Sequence, residues 1–146
     1  MSTKSNEEQI RELITNWATA AKNKDIKGIM AYHVPDLIAF DVPEPIQFTD
    51  AASYAKHWES FFPMMTGSVI FDVQELKITA GEDVAFSTCL IHCGGTGPDG
   101  TTCEGTSRTT LGFRKIDGQW HFAHEHHSMP MSMDGCCGGE KETPKA

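Results

Sequence analysis

The chain has 146 residues, 39% of them hydrophobic and 22% charged, which fits one globular domain with its own core. The formal net charge of −8 argues against nucleic acid and anionic membrane surfaces as partners, because their phosphate groups would repel such a protein. No apolar run approaches the roughly 18 residues of a transmembrane helix, and the first ten residues lack the apolar stretch of a signal peptide, so we expect a cytoplasmic protein.

The first part of the chain predicts three helices. Ser5 and Glu8 form a capping box, and the apolar residues that follow recur at helical spacing, which predicts a helix over about 6–22. A second, short helix is predicted to continue to about Tyr32, and a third to begin after Asp50. Along this third helix Trp58 and Phe62 share one face, whereas His57 is expected on the solvent side.

The rest of the ordered pattern is extended. The segment LIAFDV predicts a strand over 37–42. Four long strands with Gly-rich turns between them are predicted at 68–80, 83–93, 101–115 and 118–128. Helices followed by a meander of strands predict an α+β fold, in which a strongly curved antiparallel sheet wraps around the helices. The domain is predicted to span 1–130, and the Gly- and charge-rich residues 131–146 to form a flexible tail.

The last predicted strand, GQWHFAHEHHS, contains four of the seven histidines. Strict alternation places His124 and His126 on the same face as Trp120 and Phe122. The two imidazoles would then lie roughly 7 Å apart along the strand. Either they line a cavity, or the strand leaves the core before it reaches them.

Two stretches of the sequence carry a resemblance to a known superfamily. NWATAAKNKDIKGIMAYHVPDLIAFD, in which the match is ungapped from Trp17 to Asp41, resembles the start of ketosteroid isomerase-like proteins. RKIDGQWHFAHEHHS is similar to the closing hairpin of SnoaL-like proteins and of the calcium/calmodulin-dependent kinase association domain. Both groups belong to the nuclear transport factor two-like superfamily. The resemblance implies a cone-shaped sheet, a partly open barrel closed by three helices, with an apolar pocket at its centre. It also implies a homodimer formed through the outer face of the sheet.

The resemblance also implies site residues. Asp41 aligns with the general base of the ketosteroid isomerases, and a carboxylate at the mouth of an apolar cavity is suited to moving a proton. Those enzymes hold the developing enolate with a tyrosine and a protonated aspartic acid. Trp17 and Leu111 stand at or near these places here, so steroid isomerisation itself is not expected. His124 and His126 could assist Asp41, as histidines do in dehydratases of this fold, or bind a metal with it, or be structural.

Further side chains are candidates to contact a substrate, because they are aromatic, hydroxylated or basic near the expected pocket. These are Trp17, Tyr32, Trp58, Phe62, His92 and Arg108. Arg108 could hold a substrate carboxylate or pair with Asp41, and it could equally face solvent.

Three functions remain open at this point. The first is an isomerase, dehydratase or cyclase that acts on a small apolar carbonyl compound. Such chemistry needs no cofactor, and the sequence has no phosphate loop or dinucleotide fingerprint. The second is a non-catalytic ligand-binding or dimeric scaffold module. The third is a soft-metal or thiol protein, because three methionines and the adjacent Cys136 and Cys137 in the tail offer sulfur ligands.

Overall fold

The computed structural model describes residues 3–133, and within them the predicted helices are present. The three α-helices are α1 (Asn6–Lys22), α2 (Ile26–Met30) and α3 (Ala51–Phe61), and a 3₁₀ turn (Phe62–Met64) follows α3. Each helix begins at a side-chain cap, since Ser5, Asp25 and Asp50 each accept a hydrogen bond from a main-chain N–H in the first turn. The second helix ends before Tyr32, whose backbone has a positive φ of 61°.

Five strands form one curved, open sheet in the order β1-β5-β4-β3-β2. Their bounds are β1 (His33–Phe40), β2 (Thr66–Ala80), β3 (Val84–Thr96), β4 (Thr102–Ile116) and β5 (Gln119–Ser128). The α+β prediction is confirmed, and the four long strands pair in an antiparallel meander as predicted. The first strand differs from the prediction because it begins at His33 and pairs with β5 in parallel.

The core lies between the helices and the inner face of the sheet. Trp17 on α1 is 1% exposed. Its ring packs edge-on against Phe71 of β2, with ring centroids 5.1 Å apart, and at a tilt against Phe122 of β5 at 5.7 Å. Trp120 is also 1% exposed. Burying each of these large side chains stabilises the fold by about 1.5–3 kcal/mol, so the rings fix α1 against the concave side of the sheet.

A β-bulge in β5 decides which side chains of this strand face the core. Phe122 pairs with Phe113 of β4 and His124 pairs with Gly112, so that Ala123 is an extra residue with no partner on β4. The extra residue reverses the alternation beyond it. The prediction that His124 and His126 share the face of Trp120 and Phe122 is therefore wrong, and Glu125 and His127 take the inward positions.

The expectations about membrane spans and cysteines can be compared with the structure only within residues 3–133. No helix within residues 3–133 is long and apolar enough to cross a membrane. Cys89, Cys93 and Cys103 are free thiols. Cys136 and Cys137 lie outside the described residues, so the domain boundary at residue 130 and the soft-metal hypothesis remain predictions.

Candidate functional site

A cavity of about 400 Å³ opens between α3, the segment that follows β1 and the inner face of the sheet. Its wall is mostly apolar. Four aromatic side chains line it: Tyr54, Trp58, Phe61 and Phe71. Sulfur-bearing side chains also line it, namely Met65, Cys93, Cys103 and Met129. This volume and lining are typical of small-molecule sites.

Asp41 lies at the polar end of this cavity, where the strand β1 has just ended and its side chain continues the inward-facing alternation. Its Oδ2 accepts a hydrogen bond from the Tyr54 hydroxyl at 2.9 Å, and its Oδ1 accepts one from the Val42 main-chain N–H at 2.7 Å. The Nε2 of His57 lies 3.6 Å from Oδ2. The carboxyl group predicted from the sequence therefore meets a phenol and an imidazole from α3 inside the cavity.

Glu125 forms a second polar group behind this end of the cavity. It is fully buried, and its Oε1 accepts a hydrogen bond from His127 Nε2 at 2.8 Å, while its Oε2 contacts His33 Nε2. The Tyr54 hydroxyl lies 3.4 Å from Glu125 Oε1, which is longer than its bond to Asp41. Since a hydroxyl has one proton to donate, Tyr54 donates to Asp41. The two carboxyl groups are therefore linked through one phenol.

Both ring nitrogens of His127 are occupied. Nε2 faces Glu125, and Nδ1 lies 2.8 Å from the Thr109 hydroxyl. The ring also stacks on Trp17, with the ring centroids 6.3 Å apart. His127 lines the cavity, but its polar atoms serve the buried network rather than the cavity. By contrast, among residues 3–133 the only polar contact of the His57 side chain is the one with Asp41.

The charges of this network follow from opposing effects. Burial raises the pKa of Glu125, but hydrogen bonds from His127 and His33 and the charges of both outweigh burial and lower that pKa from 4.5 to about 2. Burial lowers the pKa of His127, but its hydrogen bond to Glu125 and the charges of Glu125 and Asp41 raise it overall. Burial, followed by the charges of Glu125 and Asp41, raises the pKa of Tyr54 well above 10, so the phenol stays neutral and donates.

Of the four predicted substrate-contacting residues on the helices or just after them, one lines the cavity and three do not. Trp58 lines the cavity. Phe62 packs behind Trp58, with ring centroids 5.2 Å apart, and Trp17 lies in the core beneath His127. Tyr32 lies in the turn after α2, is 51% exposed and contacts the ring of His121.

The predicted strand residues lie outside the cavity. His92 is on the outer face of β3, bonded to Glu104 at 2.8 Å, because the inward positions of this strand are the odd-numbered ones. Arg108 is on the outer face of β4, where its Nε donates to Ser128 Oγ at 3.2 Å. His124 and His126 face outwards because of the bulge, and both rings lie 5.1 Å from that of Phe40.

The residues that sequence reasoning missed are Tyr54, His57, His33, Glu125 and His127. For Tyr54 a signal was available, since Tyr54 and Trp58 are four residues apart and share one helix face. His57 was expected in solvent, but its side chain is only 19% exposed. Within residues 3–133, no three His, Cys, Asp or Glu side chains are placed to hold a metal ion.

Comparisons with known proteins support the fold and identify the family of the chain. The family model of the SnoaL-like domain matches residues 10–132. A comparison with the curated proteins found no match. Among solved structures, an NTF2-like protein of unknown function from Pseudomonas putida KT2440 is similar, with 36% identity over 90% of this chain and 93% of that chain and a TM-score of 0.80.

Two further structures are similar in fold alone. An NTF2-like family protein from Streptomyces avermitilis, provisionally called a dehydratase, has 14% identity and a TM-score of 0.76, with 86% of this chain and 97% of that chain covered. A protein from Xanthomonas campestris, provisionally called a calcium/calmodulin-dependent protein kinase II association domain, has 16% identity and a TM-score of 0.74. In that comparison 87% of this chain and 90% of the other are covered.

Proposed function

The chain belongs to the SnoaL-like domain family, and from this premise we propose that its cavity binds a small, largely apolar carbonyl compound and catalyses a cofactor-independent proton transfer on it. The reaction class is that of an isomerase or a lyase. The observation that carries the proposal is the Asp41 carboxylate at the polar end of an otherwise apolar cavity. In such surroundings a positioned carboxylate can remove a proton from carbon next to a carbonyl group.

The roles of the neighbouring side chains follow from their contacts. Asp41 takes the proton, and Tyr54 orients its carboxylate through the hydrogen bond to Oδ2. His57 is the second acid/base group, because its imidazole lines the cavity and has no other polar partner in the described part of the chain. Glu125 and His127 are positioning residues, since their hydrogen bonds are satisfied within the network. His57 thus replaces His124 and His126 in the role that the sequence suggested for them.

Exchange of carbon-bound protons tests this proposal without knowledge of the natural substrate. The probe is 2-tetralone, a small apolar ketone, in D₂O, and NMR follows the loss of its α-proton signals. The protein should accelerate the exchange, and Asp41→Asn should remove roughly 10²–10⁴-fold of that acceleration. Asp36→Asn is the matched control, because this substitution removes the same charge from a side chain that is 78% exposed. Equal rates for Asp41→Asn and the unmodified protein would refute the role of Asp41.

As a second part of the proposal, the chain forms a homodimer, because the outer face of the sheet exposes apolar side chains. Val84 and Phe86 on β3 are 59% and 50% exposed, and Ile116 on β4 is 39% exposed. All three lie at outward-facing positions of adjacent strands, which leaves apolar surface for a second copy of the chain. Light scattering should therefore give the mass of a dimer, and Phe86→Glu should give that of a monomer. A monomeric unmodified protein would exclude this interface.

A further inference from the structure

Among residues 3–133, the lining of the cavity contains the carboxyl group of Asp41 and no Lys or Arg side chain. Its other ionisable side chains are those of His57, His127 and two cysteines. Glu104 also borders the cavity, but its carboxylate is bonded to His92 on the outer face of the sheet. Arg108, the side chain expected to hold a substrate carboxylate, lies on the outer face of the sheet. The whole chain adds to the same field, because its formal net charge is −8. An anionic ligand therefore meets repulsion in this cavity.

Neither histidine donates a normal hydrogen bond to Asp41. The Nε2 of His127 is bonded to Glu125 at 2.8 Å. The Nε2 of His57 lies 3.6 Å from Asp41 Oδ2, within the range of an ion pair when the imidazole is protonated but beyond a normal hydrogen bond. The hydrogen bonds to Asp41 come from the Tyr54 hydroxyl and a main-chain N–H. The carboxyl oxygens of Asp41 thus have room for a further donor from a ligand.

Aromatic rings surround the space next to this carboxylate. Trp58 lies at the centre of the group, with the ring centroids of Phe61, Tyr54 and Phe71 at 6.1, 6.2 and 6.5 Å from its own. All four rings belong to the cavity lining. The faces of such rings attract an organic cation, most strongly where water is excluded. A carboxylate beside a group of aromatic rings is the arrangement that binds an ammonium group with an apolar body.

We propose that the cavity selects a small hydrophobic amine in its protonated form over neutral and anionic molecules of the same size. The inference rests on the proposed function only because it takes the same cavity as the ligand site. It specifies in addition that the ligand contains a basic nitrogen. Asp41 supplies the counter-charge, and the rings around Trp58 contact the apolar body and the alkylated nitrogen.

Three probes of equal size test the selectivity: 3-phenylpropylammonium, 3-phenylpropan-1-ol and 3-phenylpropanoate. Their Kd values are measured by NMR titration of the full chain at pH 7 and low salt. The ammonium should bind about tenfold more tightly than the alcohol, and the carboxylate more weakly than the alcohol. In Asp41→Asn the ammonium and the alcohol should bind within about twofold of each other, whereas Asp36→Asn should keep the preference.

A second variant keeps the test independent of Asp41. Phe61→Leu preserves an apolar wall but removes one ring, so it should weaken the ammonium more than the alcohol. The inference would be overturned if the unmodified protein bound the alcohol or the carboxylate as tightly as the ammonium, or more tightly. The ketone exchange experiment measures catalysis separately, so loss of the amine preference with retained exchange would leave the proposed function standing.

Discussion

Replacing Glu125 with glutamine is expected to lower the free energy of unfolding by about 3 kcal/mol at neutral pH. The substitution preserves the size of the side chain and removes its charge. Glu125 is fully buried and contacts two histidines, so His127 would remain inside the protein without its counter-charge and His33 without its carboxylate partner. Removing one member of a buried ion pair typically costs about 3–5 kcal/mol, because the other charge stays uncompensated.

The pKa of Glu125 gives an independent figure. Its fall from 4.5 to about 2 on folding reflects burial, which opposes it, and the two histidines, which outweigh burial. At about 1.36 kcal/mol for each pKa unit, this difference corresponds to about 3 kcal/mol of stability at pH values above 4.5. This figure is of the same order as the cost of breaking a buried ion pair, so we expect Glu125 to stabilise the fold despite the cost of its burial.

The pH dependence of stability has a defined sign for each partner. The pKa of Glu125 is lower in the folded protein, so its contribution is present above about pH 4.5 and is lost as the pH falls towards 2. The pKa of His127 is raised, so its contribution is fully present below about pH 6.5 and is lost as the pH rises through the folded value. The network therefore stabilises the protein most between these limits. Glu125→Gln should remove the part of the acid loss that comes from Glu125, and it should weaken the decline above pH 6.5.

Urea denaturation, followed by tryptophan fluorescence at several pH values, measures both effects. Glu59→Gln is the matched control, because Glu59 lies on the exposed side of α3, and it should change stability by less than about 0.5 kcal/mol. A loss below about 1 kcal/mol for Glu125→Gln at pH 6 would refute the reasoning. So would an unchanged pH profile.

The remaining predictions concern the phenol and the thiols. Tyr54→Phe should cost about 1–3 kcal/mol in urea denaturation, because Asp41 loses the hydrogen bond at 2.9 Å from a fully buried side chain; an unchanged midpoint would show that the bond to Asp41 contributes nothing. Burial raises the pKa of the Cys89 thiol to about 11, so iodoacetamide at pH 8 should modify the exposed Cys103 before Cys89 in the folded protein. Peptide mass spectrometry would contradict this by finding equal modification of both.

The helices and the acid of the site were predictable from local sequence. Ser5 and Asp50 predict where α1 and α3 begin, and in the structure their side chains cap these two helices. Asp41 was identified through a resemblance, and its inward position also follows from the alternation of the strand before it. Such features depend on residues within a few positions of each other, so a single sequence contains the information.

The parallel pairing of β1 with β5 was not predictable in this way. His33 pairs with Phe122, and the residues between them include the whole meander. The segment before residue 37 contains Pro35, which argues locally against a strand, and the pairing with β5 overrides this signal. Because the buried contact between His33 and Glu125 depends on this pairing, half of the network was invisible from either stretch alone.

The orientation of the last strand shows why alternation failed at the site. Alternation assigns faces correctly only along an uninterrupted ladder, and one extra residue at Ala123 reverses every position after it. Within β5 the apolar side chains end at Ala123, so no later hydrophobic residue of this strand marks the reversal. Energetics decides the choice instead. With Glu125 inward, its carboxylate is buried with His33 and His127 as partners. The opposite register would place His124 and His126 inside and would leave His33 and His127 without this carboxylate.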